Sequence, residues 1–471
     1  MADHPIALPV RGLGGRVRDA LADPLYRSGY ALVVNTAGTT VIGVVYWAVA
    51  AHLYSQRALG RASALVSALL LVSALAQLNM GNVLPRFLPV AYRRSGRLIG
   101  YGYAATSVAA AVAATAFVLV MPLVNAQWRF LGGSAWLAIG FAVATILWGI
   151  FALEDAALTG LRHAGVVPVE NTIYGVLKLL LLVEVARSLP STGIFVSWVV
   201  PLVVIIPVIN ALIVRRYLRQ GTARVGPGDI GARVRPREVF RFAYVDYIGN
   251  LLGQIYTNLL PLLVLSILGA AANGTFYVAW TITMGLVIVA TNFATSLLVE
   301  GSSAPDKLPE LTRGILKRCL VIVTLGALLL FVAARPVLSI YGSKYAAHAS
   351  SLLGLLALGV LPRSLVVITF SLDRIAGKVG RATLTNVVLT ILVLGGSWAL
   401  LTRIGIEGVA LAWCGANFAV AIMRLPTIVG VARRRAAPAL PPVYRRSAAA
   451  SGVWLPPGRV PNAGSAAPSD P

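Results

Sequence analysis

Apolar residues run through this chain in long blocks, separated by short clusters of glycine, proline and basic residues. At about 20 residues per membrane span, the blocks predict twelve helices. The first six are 29–53, 62–84, 99–124, 134–158, 166–186 and 193–214; the second six are 239–268, 275–299, 317–338, 350–370, 383–401 and 406–431. Polar positions inside the blocks are few and periodic. On the seventh predicted helix Asp246, Asn250, Gln254 and Thr257 recur every three or four residues, which places them on one face. Uncompensated polar groups are costly in hydrocarbon, so this face is predicted to look into the bundle or a water-filled cavity. A short bend over 268–275 joins this helix to the next.

Charge then orients the pattern. The basic residues concentrate in alternate loops, including eight arginines from Arg215 to Arg241. Arg57, Arg61, Arg129, Arg187, Lys344 and Arg403 are the exceptions. The positive-inside rule therefore puts both termini in the cytoplasm and requires an even number of spans. The arginines of the first 28 residues accompany no apolar core of signal-peptide length, so the first helix is expected to stay as the insertion signal.

Composition agrees with the pattern. The 471 residues are 58% hydrophobic and 12% charged, against about 45–50% and about 25% in soluble domains. The net charge of +24 lies in loops between apolar blocks, which is topology rather than a nucleic-acid footprint. Cys319 and Cys414 have neither metal-ligand spacing nor the density of a disulfide framework.

The halves repeat. Leu59-Gly60 recurs as Leu268-Gly269, Leu161–Gly165 as Asp373–Gly377, and Gly193-Ile194 as Gly405-Ile406, at offsets of 209, 212 and 212. The prediction is a duplicated six-helix unit whose copies insert the same way up. Its parts are a cytoplasmic N-terminal segment (1–28), an N-terminal lobe (29–214), a basic linker (215–238), a C-terminal lobe (239–432) and a disordered basic tail (433–471).

No phosphate-binding loop, dinucleotide fingerprint, zinc-protease motif or nucleophile elbow occurs, so no catalytic residue, metal ligand or cofactor site is predicted. Glu154-Asp155, the adjacent acidic pair, is expected at an interface, in water. Arg424 is expected to snorkel from a helix end. What remains is polar residues inside helices, and the cavity candidates are Asn35, Gln77, Asn171, Tyr174, Lys178, Asp246, Asn250, Gln254 and Asn292. Lys178 stands out, because an intramembrane cation is a functional hypothesis by default. Asn171, Tyr174 and Lys178 follow at i, i+3 and i+7 and offer no carboxylate. Lys178 is therefore expected to meet cavity water or a substrate phosphate. An ion pair with an acid on another helix is the alternative.

In order and spacing the chain resembles the multidrug/oligosaccharidyl-lipid/polysaccharide (MOP) exporters, in the polysaccharide repeat-unit flippase branch. The resemblance rests on Ala58-Leu59-Gly60, on Asn79–Pro89 (NMGNVLPRFLP), and on Leu268-Gly269 followed by Gly274–Ala279. Tyr341–Tyr345 (YGSKY) and Gly405–Ala410 (GIEGVA) complete it. It implies an all-α polytopic protein with two six-helix lobes around a cavity that opens alternately to either side. It implies transfer of a polyprenyl-pyrophosphate-linked oligosaccharide from the inner to the outer leaflet of the cell membrane, beside polysaccharide polymerases and glycosyltransferases. A cation suits the pyrophosphate, and amides and hydroxyls suit the sugar. The first helix lacks the arginines of peptidoglycan-precursor flippases and the acid of many cation-coupled drug exporters. Asp246 keeps open a cation-coupled exporter of small amphipathic compounds, driven by a proton or sodium ion. A membrane enzyme of polysaccharide assembly is disfavoured by the short outside loops and missing motifs.

Overall fold

The computed structural model describes residues 24–91, 94–218 and 236–433, with side chains described from residue 38 in the first helix and at 247 and from 251 in the eighth. The predicted segment 1–28 and the predicted tail lie almost wholly outside these residues, as does most of the predicted linker. All regular structure among the described residues is helical. In the N-terminal half the helices are α1 (Pro24–Leu53), α2 (Gln56–Ala76), α3 (Met80–Ala91), α4 (Ser95–Val124), α5 (Ala135–Gly160), α6 (Val167–Glu184) and α7 (Gly193–Leu212). In the C-terminal half they are α8 (Pro236–Leu268), α9 (Ala270–Ser303), α10 (Leu308–Val332), α11 (Ser343–Ile375), α12 (Val379–Ile404) and α13 (Ile406–Ala432). Among the described residues eleven helices are long and apolar enough to cross a membrane, and residues 38–53 of α1 form a shorter apolar helix.

The helices of each half pack mainly on one another, α4 on α5 and α6 on α7, then α11 on both α9 and α13. Their outer faces remain apolar: Val108, Val112, Leu119 and Leu123 of α4 are all exposed. Such a surface is soluble only in hydrocarbon, where every backbone group must be bonded within its own helix. The halves join through α2, which packs against both α8 and α9. One apolar core therefore runs from Tyr46 and Trp198 to Trp413 and Ile428 across both halves.

Helix ends differ from the pattern where backbone chemistry intervenes. The predicted helix 62–84 is two helices, α2 and α3. Leu78 (φ 48°) and Asn79 (φ 63°) turn left-handed between them, and α3 carries Pro85 and Pro89. Hydropathy does not register such a break. Two turns, one in each half, have the same form. Arg162 and Gly377 both take left-handed φ, at 64° and 69°. In each turn the next residue donates its N–H five residues back, His163 to Leu158 (2.8 Å) and Lys378 to Asp373 (2.8 Å). These are the same helix-ending turn, at an offset of 215 rather than the 212 read from letters. In the first copy an arginine stands where glycine is the unstrained residue.

Candidate functional site

The site is built on α6. Pro168 starts this helix, where its missing N–H costs nothing. Glu170, Tyr174 and Lys178 follow at intervals of four and so share one face. All three are buried, while Ile173, Leu177 and Leu180 on the other side are exposed. The polar face of α6 is therefore turned into the N-terminal half.

The Lys178 ammonium sits among three rings. Nζ lies 4.1 Å from the Trp198 ring centroid, 4.7 Å from that of Tyr46 and 5.1 Å from that of Tyr174. The rings are fixed in turn. The Tyr174 hydroxyl donates to the Trp198 carbonyl (3.0 Å). The Tyr46 hydroxyl meets Ser197 Oγ at 2.7 Å and the Ile194 carbonyl at 3.1 Å. A cation over a desolvated ring gains about 2 kcal/mol, and inserting a lysine at mid-membrane costs about 2.5–3.5 kcal/mol. The cage is thus of the right size to hold the ammonium without a carboxylate, and no ion pair to Lys178 occurs among the described residues. Lys178 is 7% exposed. In this conformation three rings cover Lys178, and no acid pairs with it among the described residues.

Below the cage lies a group of acids. Asp155 accepts two bonds from Asn171 Nδ2 (3.2 and 3.4 Å). Asn171, expected in a cavity, is thereby tied to α5. Glu154 Oε1 accepts from Asn210 of α7. Glu154 Oε2 and both carboxyl oxygens of Glu170 are buried without a hydrogen-bond partner among the described residues. Glu154 is fully buried and Asp155 half-buried, so for Glu154 the expectation of a solvated acidic pair is corrected. The cause is tertiary: α5 continues to Gly160, and α4, α6 and α7 cover its end.

The other candidates sit elsewhere. Gln77 caps α2 and is half-buried, Gln254 is exposed on α8, and Asn292 is half-buried on α9. The side chains of Asn35, Asp246 and Asn250 lie outside the described residues. Of the nine candidates, Asn171, Tyr174 and Lys178 come together on one helix. Trp198 and Glu170 were missed. Glu170 was legible as the i−8 member of the Lys178 face, but nothing in the letters brings Trp198 to it.

A second polar assembly joins the halves. Asn273 of α9 is fully buried and donates to the Gly60 carbonyl (2.7 Å) and to Ser63 Oγ (3.1 Å) of α2. Gln56 bonds Thr275. Asn125 donates to the Ser266 carbonyl, and Trp128 Nε1 donates to Ser266 Oγ, both at 3.0 Å. Gly60 lies so close to the Ala270 carbonyl that a Cβ would overlap it. Small residues allow this approach, and the amide bonds hold it. In the C-terminal half Arg424 is buried and paired with Asp373 rather than reaching out of a helix end.

No protein-family model matches the chain, and no curated protein matches it. Solved structures do. One is the inward-facing conformation of a multidrug resistance MATE family transporter of the MOP superfamily, with 14% identity over 83% of this chain and 95% of that one (TM-score 0.61). The outward-facing conformation of a transporter so described matches with 15% identity over 89% and 99% (TM-score 0.58). A MOP superfamily transporter from Pyrococcus furiosus Vc1, described by the reverse polarity of its binding pocket, matches with 16% identity over 89% and 99% (TM-score 0.60). At such identities the likeness is one of architecture, and the chain has the all-helical membrane fold of the MATE transporters of the MOP superfamily.

Proposed function

We propose that this protein is an alternating-access flippase that carries a polyprenyl-pyrophosphate-linked oligosaccharide from the inner to the outer leaflet of the cell membrane, for surface polysaccharide assembly. The observation that carries this reading is Lys178. Its amine is buried among rings and is paired with no acid among the described residues. Such a cation keeps its charge available for a phosphate, which a compact ammonium can bind without fixed geometry. The Pyrococcus protein, whose reversed pocket polarity was taken to suggest a different function, is a precedent within this fold for a difference of function that goes with pocket polarity. The polar contacts at Gly60 and Asn273 support the alternation, because they gather at one end of the α2–α9 contact. With both termini in the cytoplasm, those contacts close the outer side. The reading makes the chain a transporter rather than an enzyme, working beside glycosyltransferases and a polymerase.

The test replaces Lys178 in the native host. Lys178→Arg retains part of the surface polysaccharide. Lys178→Met, whose thioether suits an aromatic cage, accumulates normally and loses most of it. Normal polysaccharide from normally abundant Lys178→Met overturns the phosphate role and returns the cation-coupled exporter of small amphipathic compounds as the better reading.

A further inference from the structure

Beside the junction between the halves stand arginines that three separate effects oppose. In the orientation that the charge pattern predicts, this is the outer face, where cations are disfavoured. Arg57 lies in the first turn of α2, where the helix dipole works against a cation. Arg61 follows at i+4 on the same face, and like charges so placed cost stability. The fold then brings a third charge to them. The Arg61 guanidinium carbon lies 5.1 Å from the ring centroid of Phe130, the neighbour of Arg129 in the turn between α4 and α5. That turn is bound to Ser266 of α8 by Asn125 and Trp128, so the cluster has a fixed place at the mouth of the junction. All three arginines are exposed. No acid pairs with them among the described residues, and neither 24–153 nor 247–299, the stretches that build the junction, contains one. Apolar surface adjoins the charges: Leu123 and Val124, at the end of α4 that leads into the turn, are 86% and 74% exposed.

We propose that Arg57, Arg61 and Arg129 form an anion site at the outer leaflet, which takes the pyrophosphate of a polyprenyl lipid while the lipid chain lies along the exposed end of α4. A bound anion turns each opposing effect around, because it neutralises the like charges and suits the end of the helix dipole. Guanidinium forks match phosphate oxygens two at a time, and three of them suit a group with several charges. A soluble anion would gain nothing from Leu123 and Val124; a lipid buries its chain against them. The site rests on the cargo class proposed above and gives that cargo a place on the side where it is released. It shares no residue with the Lys178 cage.

The experiment is arginine modification by phenylglyoxal in the full-length protein, held in phosphatidylcholine nanodiscs, with each arginine followed by peptide mass spectrometry. The probe is geranylgeranyl pyrophosphate. At a probe concentration about ten times its dissociation constant, modification of Arg57, Arg61 and Arg129 slows about tenfold. Arg187 and Arg403, exposed elsewhere, react as before. Arg61→Gln raises the probe concentration that protects Arg57 and Arg129 by about tenfold, the value of one charge-assisted contact. Lys178→Met keeps the protection, so a failure of the phosphate role at Lys178 is told apart from a failure of this site. Unchanged rates with the probe overturn the proposal, as does equal slowing at Arg187 and Arg403. Equal protection by inorganic pyrophosphate, or by phosphatidylglycerol mixed into the nanodisc, also overturns it, marking a surface for anions in general.

Discussion

Asn273→Ala tests the idea that a few polar groups hold the two halves together at one end. The perturbation deletes two hydrogen bonds across the junction, to the Gly60 carbonyl at 2.7 Å and to Ser63 Oγ at 3.1 Å. When the junction opens, all of these groups meet water, so only the net value of each bond counts, about 1 kcal/mol. Losing both shifts the closed-to-open balance by about 2 kcal/mol, or about 30-fold. The Gln56–Thr275 and Ser266 bonds remain, so the protein still folds and the shift is graded. Spin labels at Arg57 and Ala271, both exposed beside the junction, report the distance by pulsed electron paramagnetic resonance, with Cys319 and Cys414 first replaced by alanine. The wild type gives a narrow, short distance, and Asn273→Ala gains a longer one. An unchanged distribution in Asn273→Ala would refute the reasoning, because a junction indifferent to two buried bonds is held by something else.

Three further outcomes follow from other parts of the molecule. Gly60→Ala places a methyl group against the Ala270 carbonyl and opens the same pair of labels further than Asn273→Ala does, with the helix intact; a wild-type distance would show that α2 and α9 separate without cost. Arg424→Met leaves Asp373 charged and buried and lowers stability by about 3–5 kcal/mol, while adding Asp373→Leu restores most of it; equal melting of single and double variants would refute the pairing. Reporter fusions at Arg94 and Arg313 report cytoplasm and those at Arg129 and Lys344 the outside, and a cytoplasmic signal at Lys344 would reverse the orientation.

Hydropathy and charge alone determine most of the fold class here. A helix in hydrocarbon must satisfy its own backbone, so every long apolar block becomes a helix. The predicted ends fall within a few residues of the observed ones wherever a block closes on glycine or a basic cluster, as at Gly193 and Gly405. The left-handed pair Leu78-Asn79 is invisible to the same method, because it is a matter of dihedral angle and not of polarity. Lys178 was legible as an anomaly, since a lysine is costly wherever an apolar block surrounds it. Its answer was not. Trp198 and Tyr46 lie 20 and 132 residues away in sequence, and only the packing of α1, α6 and α7 closes their rings on one ammonium. Glu154 shows the same division in reverse. The letters place it near a helix end, where water is the natural expectation. The neighbouring helices exclude that water, and Asn210 arrives from α7 to bond it. Membrane solvent imposes its demands residue by residue and can be read along a chain, but which buried polar groups meet is a property of contacts between helices, which only the tertiary structure decides.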